Sequence, residues 1–320
     1  MTNVRSPFCS TDYHYQQPGP AISESAMKHT HIKKRTLLVL IFTLLLTALG
    51  IYGFFFGPLF PWCPIKPGFA KLRLNRCTIL YPKGTQPAPE YATLDTLMEE
   101  MEQFHKLRFK KEIQVIVCAS NEQCKRFSRQ NGHACAVQTG TVLYIRPSIQ
   151  YTTFPPTLGP DGEIIPEAEA GKQPPRDLTG FLKHELSHAL LYQNTSLFKA
   201  FCISRWVDEG LAVCSGNPDH YYRDREFRAL AFDQGFFFNL LEEDSEPHVV
   251  PKEIKYFFTY GAYGMFMGWL IQVHGRDQVL DFIHQYIRAP GRGEILFQQY
   301  FGSTPPEMLE RFREEMQQNE

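Results

Sequence analysis

The chain has 320 residues, of which 43% are hydrophobic, and this is enough to bury a full-sized core in one or two domains. Its formal net charge of −1 gives no electrostatic case for nucleic acid as a partner. No internal repeat, phosphate-binding glycine loop or Gly-x-Ser-x-Gly nucleophile elbow is found, so nothing favours a repeat protein, a P-loop enzyme or a serine hydrolase of that type.

The N-terminal part of the chain predicts a membrane anchor. Residues 1–35 are polar, contain Pro18 and Pro20 and lack apolar periodicity, so we predict a disordered tail. Residues 36–57 are uncharged and apolar, which is long enough for one transmembrane helix. A cleaved signal peptide is the alternative, but no small-x-small cleavage site follows the apolar run. The basic cluster before the span predicts a cytoplasmic tail, with the rest of the chain across the membrane.

Residues 58–69 carry a proline at every third position, which is the repeat of polyproline II, and predict a stiff spacer. We expect residues 70–320 to form the globular domain. Its first half contains predicted strands with β-branched or alternating apolar residues, at 72–81, 112–118 and 141–145. Between them lie a helix with an apolar stripe from Tyr91 to Phe104 and a second helix that begins with the capping box of Ser120 and Gln123.

The stretch from Asp177 to Tyr192 predicts a buried helix. Its apolar residues recur mostly at steps of three and four, and Asp177 is suited to cap its N-terminus. His184 and His188 are four residues apart and therefore lie one turn apart on the same face. The two imidazoles can converge on one metal ion. Two core histidines without a metal are the alternative.

Glu185 follows the first histidine and points beside the metal rather than onto it. A carboxylate in this position can take a proton from water that the metal activates. A surface glutamate is the alternative interpretation.

A third ligand is expected within residues 206–213. Glu209 comes 21 positions after His188, which leaves enough chain for a second, antiparallel helix. The pair Asp208-Glu209 stands in an otherwise apolar run, where a charge requires a partner. We prefer Glu209 as the ligand over a solvated glutamate, and Asp208 is either the rival ligand or an acceptor for an imidazole N–H.

These residues resemble those of a known enzyme family. His184-Glu185-Leu186-Ser187-His188, followed by Trp206-Val207-Asp208-Glu209-Gly210, is similar to the gluzincin branch of zinc metallopeptidases, and most similar to the peptidase MA-like domains of bacterial proteins. The resemblance covers about residues 110–318 and is strong at the two metal helices. The interval before Glu209 is slightly longer than in thermolysin-like enzymes, and no aspartate follows Glu209 four residues later.

The resemblance implies an α+β, zincin-like domain with a small mixed sheet and a mainly helical C-terminal half. It implies one Zn²⁺ ion held by His184, His188 and Glu209, with Glu185 as general base and a peptide or protein as substrate. A helix led by Tyr260 would supply a phenol O–H to stabilise an oxyanion, although Tyr263 or a purely structural aromatic are alternatives.

The resemblance also predicts where the substrate lies. The strand at 141–145 would form the sheet edge that binds an extended peptide, although an ordinary core strand is the alternative. Residues 148–176 would border the cleft. Because the similar domains are bacterial, we favour an inner-membrane protein with its catalytic domain in the periplasm. Cysteines on that side are expected to pair in part. Cys202 and Cys214 flank the segment that carries Glu209 and could staple it, and buried free thiols are the alternative.

We therefore predict a membrane-anchored, zinc-dependent peptidase. The alternative from another class is a catalytically silent, membrane-tethered binding or assembly protein on the same scaffold. A hydrolase of nonpeptide amides would use the same chemistry. The sequence carries no signal for the oligomeric state.

Overall fold

The computed structural model is mixed α+β, mostly helical, with one five-stranded sheet. The chain divides into two units, Met1–Tyr52 and Gly53–Glu320. The structure describes residues 24–129, 134–137, 139–147, 156–159, 163, 165, 178–216, 221–242 and 250–318. The proposed N-cap Asp177 and most of the predicted cleft loop at 148–176 lie outside these ranges.

The first helix, α1 (Glu24–Phe56), contains the apolar span. Residues Arg35–Phe56 are long and apolar enough to cross a membrane, a test that some core helices and signal sequences also pass. The helix begins at Glu24, so residues 24–35 are helical although we predicted a disordered tail up to residue 35. The reason is local: after Pro20 no proline interrupts the chain, and Ala, Met, Lys and Arg favour helix.

The residues after α1 differ from the extended spacer that the prolines predict. Phe60–Trp62 forms a 3₁₀ turn, and the Lys66 ammonium donates to the carbonyl oxygens of Phe60 and Pro61 at 2.5 and 2.8 Å. The Phe60 ring is buried and stacks on Phe127, with ring centroids 4.4 Å apart. Burial of one aromatic ring therefore overrides the polyproline repeat and folds this segment onto the domain.

The sheet has the spatial order β1-β2-β3-β5-β4. Its strands are β1 (Phe69–Arg73), β2 (Cys77–Pro82), β3 (Ile113–Val117), β4 (Ala134–Ala136) and β5 (Val142–Ile145). The pairs β2–β3 and β3–β5 are parallel, whereas β1–β2 and β5–β4 are antiparallel. The sheet is therefore mixed.

One strand prediction was wrong, and the structure decides between two alternatives for another strand. The stretch 72–81, predicted as one strand, turns at Asn75 and Arg76, whose backbone N–H groups donate to the Asp95 carboxylate at 2.9 and 3.0 Å. Strand β5 lies between β3 and β4, so of its two interpretations the ordinary core strand is observed and the sheet edge is not. The edge is the three-residue strand β4, which is too short to give a periodic signal.

Helices make up the remainder of the second unit. The first two are α2 (Leu94–His105) and α3 (Asn121–Ser128). The capping box of α3 is confirmed, because the Ser120 hydroxyl accepts from the Gln123 N–H at 3.2 Å. The C-terminal half contains α4 (Leu178–Gln193), α5 (Leu197–Ala200), α6 (Arg205–Ser215), α7 (Asp224–Arg228), α8 (Lys252–His274), α9 (Arg276–Arg288), α10 (Gly293–Phe301) and α11 (Pro305–Gln318).

Two features hold the helices that carry the predicted ligands. At the end of α4, the Gln193 amide accepts from the N–H of Lys110 at 2.7 Å and donates to the carbonyl of Gly140 at 2.6 Å. These bonds fix α4 to the chain segments beside the sheet. Helix α6 packs closely on α8 because Gly210 has no side chain: a Cβ there would lie 2.7 Å from the Tyr263 carbonyl oxygen.

Cys202 and Cys214 form no disulfide, so of the two alternatives the free thiols are observed. Cys202 is exposed whereas Cys214 is half-buried. The segment between them is instead held by helix packing, since Val207, Leu211 and Ala212 are fully buried.

Candidate metal centre

Three predicted ligand side chains meet between α4 and α6. The Nε2 atoms of His184 and His188 are 3.1 Å apart. The Glu209 Oε2 atom lies 3.2 Å from the first and 3.3 Å from the second. Both histidines are 6% exposed and the Glu209 side chain is 16% exposed, so the three atoms form a compact and largely dehydrated group. This group could hold a metal ion.

The spacing of these atoms fits a tetrahedral ion. Ligand atoms bound to zinc at about 2.0–2.1 Å in a tetrahedral arrangement lie about 3.3 Å from one another. The three observed separations of 3.1, 3.2 and 3.3 Å match this value. Among the described residues, Glu209 Oε2 has no hydrogen-bond donor although it is buried. A cation equidistant from the three atoms would satisfy all of them.

Asp208 contacts one of the predicted ligands rather than joining their group. Its Oδ1 atom lies 2.7 Å from Nδ1 of His188, so this nitrogen carries the proton and donates it to the carboxylate. The Nε2 atom of His188 is then left with its lone pair directed at the group. The other carboxylate oxygen, Oδ2, accepts a hydrogen bond of 2.5 Å from the Tyr192 phenol. Of the two roles that the sequence allowed for Asp208, the structure therefore supports that of acceptor.

Substituting Asp208→Asn is expected to weaken metal binding about 10- to 100-fold. The reason is that a neutral amide holds Nδ1 of His188 less strongly than the carboxylate does, so the imidazole is less well oriented. Competition with a chromophoric chelator measures this change. The matched control is Tyr192→Phe, which removes one hydrogen bond to Asp208 and keeps its charge, so we expect a much smaller loss. Equal metal affinity of Asp208→Asn and the wild type would contradict the assignment.

The electrostatics of the group favour a positive charge. Burial lowers the pKa of His188, but the neighbouring Asp208 and Glu209 carboxylates outweigh it and raise that pKa well above the ordinary value. Burial likewise raises the pKa of Glu209, yet His188 and His184 hold it far below its usual range. Glu209 is therefore ionised and available to a cation.

The chain has a distant structural similarity to a known enzyme. No protein-family model matches the chain, and no curated protein matches it. Among solved structures, it is similar to a mutant of an M1 zinc metallopeptidase from Deinococcus radiodurans, with 15% sequence identity and a TM-score of 0.33. The likeness covers 77% of this chain and 50% of that enzyme, so the chain spans about half of its length.

Glu185 lies beside the three ligand atoms and is 6% exposed. Within the described chain its Oε2 atom has no hydrogen-bond partner. Burial raises the pKa of this carboxyl, although the two histidines and the backbone N–H of Ala136, which donates to it, act in the opposite direction. The contact with Ala136 joins Glu185 to the edge strand β4. A buried carboxylate with one unpartnered oxygen is suited to exchange a proton with a bound molecule.

Tyr260 and Tyr263 differ in the groups that they contact. The Tyr260 ring lies 6.4 Å from the ring of His184, and its phenol hydrogen-bonds to Glu209. Burial and the Glu209 charge raise its pKa well above the ordinary value, so it remains a proton donor. The Tyr263 ring instead lies under the Arg205 guanidinium and against Phe238. Tyr260 is the tyrosine placed next to a ligand.

The sequence suggested that Tyr260 begins its helix, and this prediction was wrong. Tyr260 lies in the third turn of α8, which begins at Lys252. Its ring packs against Tyr221 and Tyr256, at centroid distances of 5.6 and 4.5 Å.

Two contributors to the centre were missed from the sequence. Tyr192 was treated only as part of an apolar stripe, although its position four residues after His188 places it on the face of the ligands. The Ala136 N–H could not be anticipated, because nothing in the sequence marks the short strand β4.

Proposed function

We propose that this protein is a zinc-dependent peptidase anchored to a membrane by its N-terminal helix. The observation that carries the proposal is the group of His184, His188 and Glu209, with ligand atoms 3.1–3.3 Å apart and Glu185 buried beside it. Two imidazoles and one carboxylate are a ligand set of catalytic zinc sites, which keep a fourth position open. A set of three protein ligands supports a catalytic rather than a structural ion.

The proposed chemistry assigns separate tasks to three side chains. When bound, zinc would lower the pKa of its water toward about 7 and polarise a carbonyl group. Glu185 would take a proton from the attacking water and deliver it to the leaving amine. Tyr260 would donate its phenolic hydrogen bond to the oxyanion that forms on the substrate. His188 is held for its task by Asp208.

The proposed substrate is an extended peptide. Strand β4 is the sheet edge, and its Ala136 N–H contacts Glu185, so a peptide paired with this edge would run beside the centre. The likeness of the two metal helices to peptidase MA-like domains supports a zincin-like fold. It also supports a bacterial inner-membrane location with this domain in the periplasm.

The full chain in lipid nanodiscs tests the proposal by metal analysis and digestion of a broad peptide library. We expect one zinc ion per chain and cleavage that a chelator abolishes and added zinc restores. His184→Ala, which removes one ligand, should lose both zinc and cleavage. Stoichiometric zinc without cleavage of any peptide would overturn the peptidase and favour the silent, membrane-tethered binding protein.

Tyr260→Phe is expected to lower the rate constant kcat about 10²-fold, because the phenyl ring keeps the packing but loses the donor to the oxyanion. The zinc content should stay at the wild-type level. Tyr263→Phe is the matched control, since this ring contacts Arg205 rather than a ligand, and we expect kcat to stay nearly unchanged. If Tyr263→Phe were the slower variant, the role would belong to Tyr263.

A further inference from the structure

A cavity of about 600 Å³ lies along α8, and its walls come from α2, α6, α7, α8, α9 and α11. None of the proposed ligands lines it, and neither do Glu185 and Tyr260. Its volume falls in the range of about 300–1,000 Å³ that is typical of sites for small molecules. The peptidase chemistry makes no use of this space, which therefore requires its own explanation.

The cavity is lined by an excess of positive charge. Four arginines contribute to its lining but only one acidic residue, Asp224. Arg223 pairs with Asp224 at 3.5 Å. The other three arginines are Arg225, Arg228 and Arg276. In the part of the chain that the structure describes, they form no ion pair with an acid.

Neighbouring acidic side chains are already engaged elsewhere. The Glu315 carboxylate accepts from Nε1 of Trp269 at 2.8 Å. Asp277 pairs with the Lys106 ammonium at 2.7 Å. Neither acid is paired with Arg225 or Arg228, and planar guanidinium groups bind carboxylates and phosphates through paired hydrogen bonds.

Apart from Gln272, the remaining walls are apolar. They include Val213, Met265, Ile271 and Met316, together with two aromatic rings. One of these is Trp269, and the other is Phe104, over which the Arg276 guanidinium lies at 5.8 Å from the ring centroid. A small inorganic anion would leave these walls in contact with water, and a neutral apolar ligand would gain no attraction from the arginines. A ligand with an apolar chain and an acidic head satisfies both.

We propose that this cavity binds an anionic amphiphile, which is a single alkyl chain that carries a carboxylate or a phosphate head. The head lies among Arg225, Arg228 and Arg276, and the chain lies against the walls formed by Met265 and Trp269. A carboxylate head and a phosphate head both form paired hydrogen bonds with arginine, so separate probes are used to distinguish them.

Gly268 provides a way to fill the cavity without disturbing the fold. It lines the cavity, and a Cβ at this position would meet only the Cys214 Sγ atom, at 3.9 Å. Gly261 and Gly264 also line it, but a Cβ there would lie 2.3 Å from the Tyr222 carbonyl oxygen or 2.4 Å from Val213 Cγ1. Gly268→Leu therefore occupies the space, and Gly268→Ala is its matched control.

The test uses the full chain in phosphatidylcholine nanodiscs, with empty nanodiscs as the blank. The probes are dodecanoate, dodecyl phosphate, dodecyltrimethylammonium and inorganic phosphate. Binding is measured by equilibrium dialysis and by the fluorescence of Trp269, which lines the cavity. We expect one dodecanoate or dodecyl phosphate per chain, at least about tenfold weaker binding of the cationic amphiphile, and no binding of inorganic phosphate at the same concentrations.

Gly268→Leu should weaken dodecanoate binding at least about tenfold, whereas Gly268→Ala should change it less than about threefold. Arg228→Gln with Arg276→Gln should weaken binding of both anions, and the exposed Arg292→Gln serves as the charge control. Zinc content and circular dichroism report whether each variant is folded. If the double variant fails to fold, the two Gly268 variants decide alone.

Three results would overturn the proposal. The first is unchanged dodecanoate binding in Gly268→Leu, and the second is equal affinity for the cationic and anionic amphiphiles. The third is binding of inorganic phosphate or an acidic peptide without binding of dodecanoate. Because every readout is independent of cleavage, failure of this proposal leaves the proposed peptidase untouched.

Discussion

Glu185→Gln is expected to reduce peptide hydrolysis between about 10²- and 10⁴-fold while the zinc content remains that of the wild type. Glutamine has the same shape and can still accept the hydrogen bond from the Ala136 N–H, so the fold of the site is retained. It cannot take up a proton at neutral pH. Single-turnover cleavage of one library-derived peptide, with parallel metal analysis, measures both quantities.

The matched variant for this test is Glu209→Gln. In the wild type, Oε2 of Glu209 lies 3.2 Å from His184 Nε2 and 3.3 Å from His188 Nε2. Loss of the Glu209 charge should therefore weaken zinc binding as well as hydrolysis. The two variants therefore distinguish the loss of a proton carrier from the loss of a proposed metal ligand. If Glu185→Gln cleaved at the wild-type rate, or lost zinc as Glu209→Gln does, the general-base assignment would be wrong.

The parts of the centre that sequence predicted are those set by short-range geometry. His184 and His188 share a helix face because their separation of four residues matches the helical repeat. Glu209 and Asp208 were expected near them because two acids in an apolar run need partners. Among described residues, the structure brings the predicted ligands together and adds a specific partner, Tyr192, for Asp208.

The parts that sequence did not predict depend on contacts between distant segments. Strand β4 (Ala134–Ala136) becomes the sheet edge only because β5 pairs with it, and three residues contain too little periodicity to indicate this. Phe60 leaves the predicted spacer because Phe127, 67 positions later, offers it a stacking partner. Arg276 and the arginines of α7 meet at one cavity only after α8 has folded between them.

The stability of the metal-free protein is expected to fall as the pH decreases below about 6.5, in part because of His105. This side chain is fully buried, and neither ring nitrogen has a hydrogen-bond partner among the described residues. Burial, followed by the charges of His284 and His188, lowers its pKa to about 3 from the ordinary value of 6.5. The imidazole is therefore neutral in the folded state over most of the acidic range.

The sign of the effect follows from proton linkage. Between pH 6.5 and 3 the unfolded chain binds a proton at His105 that the folded chain does not, so acid favours unfolding. The contribution of His105 to the free energy of unfolding is fully present above pH 6.5, and about 2 kcal/mol of it is lost by pH 5. His105→Leu, with similar volume and no titratable group, should lose this part of the pH dependence. Its stability at pH 7.5 should stay within about 1.5 kcal/mol of the wild type.

Urea unfolding of the full chain with a chelator present, followed through the buried Trp206, measures this difference. The comparison with His105→Leu cancels the pH dependence of His184 and His188, which both proteins share. It also cancels that of Glu102, whose burial raises its pKa but whose bonds to Arg76, the Phe109 N–H and Arg108 outweigh this and lower it to about 2. If the free energies of unfolding of the two proteins changed in parallel from pH 7.5 to 5, His105 would be protonated in the folded state. The enclosed and unpartnered ring nitrogens would then require another explanation.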